Sequence, residues 1–103
     1  MTTIVVSTQI LGELYHVLTR KNFVSVTEAK QIILELIASF PVIEIDALKV
    51  TQALDLNSKY GYSYWDSLII ATALISNCGI LYSEDMHHDQ LIEGKTTIRN
   101  PYI

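Results

Sequence analysis

Short β-branched runs alternating with longer amphipathic segments predict an α/β fold for this sequence, with a parallel sheet flanked by helices. Two further observations point the same way. Each long segment follows a Ser or Asp suited to cap a helix N-terminus. Within the first two long segments, apolar residues recur every three or four positions. At 103 residues the chain has room for one small domain, so the expected organisation is a single domain over residues 1–103.

In chain order, Thr3-Ile4-Val5-Val6 is the first candidate strand, and Ser7 is the N-cap of the helix behind it. Ile10, Leu11, Leu14, Val17 and Leu18 form that helix's apolar stripe, which runs to Arg20-Lys21. Ser25 and Glu28 match a capping box ahead of Ile32, Ile33, Leu36, Ile37 and Phe40, and Pro41 stops this second helix. Val42 to Ile45 is a second strand. Asp46 caps a third helix running to about Tyr60, with Gly61 supplying its C-terminal left-handed residue. A fourth helix, roughly Tyr64 to Asn77, is apolar nearly all round and therefore belongs in the core, with Gly79 closing it. Ile80 to Tyr82 and Thr96 to Arg99 are the remaining strands.

Half the residues are apolar and 17% are charged, which is too hydrophobic for a disordered chain. No apolar run reaches the ~18 residues of a membrane span. The N-terminal MTTIVVSTQ lacks the basic and apolar regions of a signal peptide. Cys78, the single cysteine, reads as a small buried hydrophobe in a reducing, cytoplasmic compartment. A net charge of −4 argues against broad nucleic-acid binding, although a bound metal can reverse the sign at one site.

Asp66 is the only charged residue between Lys59 and Glu84, and it stands directly before an aliphatic run. In parallel α/β sheets, ligands bind outside the C-terminal strand ends. Glu13, Asp66 and Asp85 all fall in segments expected there. Carboxylates gathered in one place repel one another unless a cation lies between them. Such oxygen ligands suit Mg²⁺ or Mn²⁺, ions that activate water and stabilise charge on a phosphodiester.

Simpler readings stand beside this one. Ser63-Tyr64-Trp65-Asp66 is itself an S-x-x-D capping box, so Asp66 has two compatible roles. Glu13 also fits the polar edge of an amphipathic helix, and Asp85 an ordinary loop. His87-His88 suggests a transition-metal pair but equally a solvated loop. Tyr60, Tyr62, Tyr64 and Trp65 could stack on bases or pack in the core. Spacing alone leaves nuclease as one option among several.

Longer stretches narrow the choice. STQILGELYHVLTRK, YGYSYWDSLIIATAL, ILYSEDMHHDQLIEG and IRNPYI together closely resemble the PIN domain, specifically its VapC-like toxin branch. The resemblance implies a ribonuclease of a toxin–antitoxin system, dependent on Mg²⁺ or Mn²⁺. It places Glu13, Asp66 and Asp85 among the metal ligands and makes Ser83 a supporting hydroxyl. RNA would be the substrate and an antitoxin-like protein a partner.

One departure bears on activity. Family members begin with a central strand ending in a D-[TS]-N-type motif, whereas Thr3 to Val6 aligns with the family's second strand. No Asp precedes Asp46. The expectation is therefore a PIN-like sheet lacking its usual first strand, with impaired or absent activity. The alternative is an inactive remnant serving as an antitoxin-binding or oligomerisation module. Open strand edges also predict a homo-oligomer.

Overall fold

The computed structural model describes residues 4–83 and 86–101. Among these the chain forms an α/β fold with four helices and parallel strand pairing. Its contacts divide into two compact units, Met1–Ile45 and Asp46–Ile103. No helix of the described residues is long and apolar enough to cross a membrane.

The first unit contains β1 (Val6–Ser7), α1 (Thr8–Arg20), α2 (Val26–Ser39) and β2 (Val42–Ile43). β1 and β2 run parallel, Val6 opposite Val42 and Ser7 opposite Ile43. Ser7 ends the strand and starts the helix: its backbone is extended, and its Oγ accepts the Ile10 N–H at 3.2 Å. The Thr8 hydroxyl accepts the Ile45 N–H at 3.2 Å, fastening the chain beyond β2 to the start of α1. α1 packs against α2. Ser25 caps α2 as its sequence predicts, accepting the Glu28 N–H at 3.1 Å while its hydroxyl donates to Glu28 Oε1 at 3.0 Å. Phe40 is extended, the conformation a following proline imposes, and the helix stops there.

Both strands of this unit are shorter than their β-branched runs. Pairing begins only at Val6, and it ends at Ile43 rather than Ile45. Thr3 lies outside the described residues. Val and Ile favour a pleated surface, but a ladder extends only as far as a partner strand does.

The second unit contains α3 (Ala47–Tyr60), α4 (Tyr64–Ile75), β3 (Ile80–Tyr82), β4 (Leu91–Ile92) and β5 (Thr96–Arg99). Asp46 caps α3, one carboxylate oxygen accepting the Lys49 N–H at 3.1 Å and the other facing Lys49 Nζ at 3.3 Å. Gly61, at φ 78°, ends α3 in the left-handed region, where a Cβ would be strained. α4 packs along α3 and buries Ser67, Leu68 and Ile70 through Leu74, as its unbroken apolar character requires.

α4 ends earlier than expected and by a different residue. Asn77, not Gly79, takes the left-handed conformation at φ 58°. The Cys78 N–H returns to Ala73 O at 2.9 Å and the Asn77 N–H to Leu74 O at 3.1 Å, a Schellman arrangement. Asn tolerates this backbone better than most residues. Cys78 is half-buried rather than buried.

The strand order is β3-β5-β4, with β3 parallel and β4 antiparallel to β5. Ile92, Thr96 and Ile98 are fully buried, and the Thr96 hydroxyl donates to Cys78 O at 2.6 Å. β4 has no counterpart in the sequence expectations. It joins β5 through a tight three-residue turn, Glu93 to Lys95, with both Glu93 (φ 51°) and Gly94 (φ 64°) left-handed. Tyr60 Oη accepts the Glu93 N–H at 3.2 Å, and Lys59 pairs with the Glu93 carboxylate at 2.9 Å. Those two contacts hold a non-glycine residue in that conformation.

Candidate functional site

Asp66 lies in the first turn of α4, where the helix dipole favours negative charge. Ser63 is the N-cap, its Oγ accepting the Asp66 N–H at 3.1 Å. Of the two roles open to Asp66, only the backbone half of the capping box is formed. Among the described residues its carboxylate makes no hydrogen bond or ion pair. The carboxylate is left available at the helix start.

The same end of the unit receives the segment that follows β3. Ser83 continues the β3–β5 pairing, its N–H donating to Arg99 O at 2.9 Å. Asp85 lies outside the described residues. Just beyond it, the His87 N–H donates to Tyr62 Oη at 3.1 Å, and Tyr62 Oη donates in turn to Gln90 Oε1. The Tyr62 and His87 rings sit 5.6 Å apart at 55°. Tyr62 precedes α4 by two residues, so the helix start carrying Asp66 and the segment after β3 meet at this tyrosine.

His87 and His88 are exposed, as a solvated loop predicts, yet His88 is engaged. Its Nδ1 accepts the Asn100 N–H at 2.9 Å and its Nε2 faces Asp89 at 3.3 Å, while Arg99 Nε reaches Asp89 at 3.1 Å. Trp65 departs from the core-packing expectation: it is 62% exposed and meets Tyr64 edge-on at 5.0 Å.

Glu13 belongs to the first unit, on the exposed side of α1, where its Oε1 accepts Gln9 Nε2 at 3.0 Å. Among the described residues no three His, Cys, Asp or Glu side chains come together as a metal site. Asp66 supplies a donor of the right chemistry for a hard dication, but the described residues do not assemble the set.

A shallow concavity of about 230 Å³ is lined by Gln52, Leu74, Ile75, Asn77, Glu93 and Lys95. It lies at the opposite end of α4 from Asp66, roughly 13 Å along the helix axis. It is separate from the acidic end.

Sequence reasoning missed the parts played by Tyr62, Gln90 and Arg99. Their partners lie up to 28 residues away in the chain, and no periodicity or capping pattern reports such pairs.

No curated protein matches the chain. The family model of the PIN domain matches residues 1–93, a stretch that includes α1, the start of α4 and the segment after β3. The chain belongs to the PIN domain family.

Proposed function

We propose that this chain is a metal-dependent ribonuclease of the VapC-like toxin branch, hydrolysing RNA phosphodiesters in the cytoplasm. PIN domains are typically nucleases that use divalent metal ions. The observation that carries the proposal is the Asp66 carboxylate, at a helix start and unbonded among the described residues. In this reading Glu13, Asp66 and Asp85 bind Mg²⁺ or Mn²⁺ and Ser83 supports them. The metal, when bound, would stabilise the charge developing on the phosphodiester. The His87 N–H on Tyr62 Oη brings part of the post-β3 segment to the α4 start, the end of the unit that carries Asp66. Residues 1–103 then act as one domain, with an antitoxin-like protein as partner.

A second reading has its own support. β3 has one paired edge, and its Ile80 and Tyr82 are 49% and 66% exposed. That surface favours strand addition or self-association, as an inactive interaction module would need. Incubating the protein with single-stranded RNA, in Mn²⁺ and in EDTA, separates the two. Cleavage only with the metal supports the nuclease, and no cleavage under either condition supports the module.

A further inference from the structure

One side of β5 is held near its end by backbone groups and then by a ring. The Ile98 carbonyl accepts the Asp89 N–H at 2.7 Å, and the Ile98 N–H donates to the Gln90 carbonyl at 2.9 Å. In an antiparallel ladder every second residue faces the same neighbour, so the next donor on this side is the Asn100 N–H. His88 Nδ1 accepts it at 2.9 Å, because Asp89, left-handed at φ 63°, turns the chain and brings the preceding imidazole to that place.

A carbonyl accepts at any pH, whereas an imidazole nitrogen accepts only while it carries no proton. This arrangement therefore requires the neutral ring with its proton on Nε2, which faces Asp89 Oδ2 at 3.3 Å. The charged groups around the ring are Asp89, on its own segment, and Arg99, from β5, whose Nε holds the other Asp89 oxygen at 3.1 Å. The neighbouring His87 ring is turned instead toward Tyr62. A proton added at Nδ1 would set one N–H against another at Asn100, yet would leave the contact between Nε2 and Asp89 in place.

We propose that His88 is a pH-sensitive clasp: its neutral ring fastens the chain beyond β5 to the His88–Gln90 segment, and its protonation releases Asn100 while the ring stays on Asp89. The clasp involves no metal, no RNA and no acidic cluster, so it stands apart from the nuclease reading.

The test is nuclear magnetic resonance of the full-length protein at pH about 8 and about 5, which straddle the range where histidines titrate. At the higher pH the His88 ring nitrogens should show the tautomer protonated at Nε2. The Asn100 amide should be protected, its exchange compared with an unstructured peptide at the same pH. At the lower pH that protection should fall about three- to tenfold, the loss of one hydrogen bond, while the Ile98 amide keeps its own. His88→Phe should show the low Asn100 protection at both pH values, and His87→Gln should respond to pH as the unaltered protein does. Asp89→Asn, a residue that tolerates the left-handed backbone, should also keep the response, since the ring and not the carboxylate is the switch. A His88 ring protonated at Nδ1 at pH about 8, or Asn100 protection that ignores pH, would overturn the proposal. So would unchanged protection in His88→Phe, or a pH response that Asp89→Asn or His87→Gln removes.

Discussion

Ser63 and Asp66 share one hydrogen bond and not two: the Ser63 Oγ accepts the Asp66 N–H at 3.1 Å, and the Asp66 carboxylate returns nothing to Ser63. In α2 the corresponding acid, Glu28, does accept from its cap, through Ser25 Oγ at 3.0 Å. Capping and carboxylate are thus separable at α4. Ser63→Ala should cost about 0.5–2 kcal/mol of stability. Asp66→Asn should cost at most about 1 kcal/mol, the scale of a helix-dipole contact, while RNA cleavage is lost. Urea unfolding of both variants checks the contrast.

Asp46 gives α3 a pH-sensitive start. Its carboxyl is held below the ordinary 3.8, first by the Lys49 backbone N–H and then by the Lys49 side chain. A depressed value in the folded state means the contribution is present above 3.8 and is lost as pH falls through the folded value. Asp46→Ala should therefore be less stable than the unaltered protein near neutrality, and the difference should shrink in acid. Thermal unfolding between neutral pH and pH about 2 measures it.

Lys59 behaves in the opposite sense. Its hydrogen bond to Glu93 holds its ammonium above the ordinary 10.5. This contribution is present below 10.5 and is lost as pH rises through the higher folded value. Lys59→Met should loosen the β4–β5 turn at neutral pH, and the difference from the unaltered protein should disappear in strong base. Hydrogen exchange at Glu93 and Gly94 across that range provides the readout.

The central strand of the second unit should be sensitive to truncation. Ile98 is fully buried in β5, and Ile98→Ala should cost about 2–5 kcal/mol through lost contacts and the cavity left behind. Thr96→Val keeps the volume but leaves the Cys78 carbonyl without its 2.6 Å donor, at about 1–3 kcal/mol. The urea midpoints should fall in that order.

Local rules made most elements legible. Ser7, Ser25, Asp46 and Ser63 each cap the helix expected of them, and Gly61 ends α3. These are contacts within three or four residues, where residue type and backbone conformation are tightly linked. β4 escaped notice because two residues show no alternation, and only the Glu93-Gly94 pair hints at a turn. Gly79 drew attention from Asn77 because glycine is the commoner left-handed residue. Asp66 was legible as an anomalous charge in an apolar run. Tyr62 was not, because its hydroxyl partners are distant in sequence and an aromatic residue alone does not reveal them.

The exposed apolar side of β3, Ile80 and Tyr82, offers a surface for self-association. At micromolar concentration the protein should sediment as a homo-oligomer, above the 11.6 kDa of a single chain. Tyr82→Lys should shift it toward monomer by placing a charge on the strand. A monodisperse monomer would show that Ile80 and Tyr82 do not drive self-association.

The central claim is that Asp66 serves a metal-dependent RNA cleavage site. The most direct measurement is cleavage of a single-stranded RNA across a Mn²⁺ titration, by the unaltered protein and by Asp66→Asn folded to the same extent. Cleavage should rise with Mn²⁺ and stop in EDTA, as a carboxylate-bound hard dication requires. Asp66→Asn should abolish cleavage at every metal concentration. Cleavage that survives EDTA, or that Asp66→Asn retains in full, would contradict the claim.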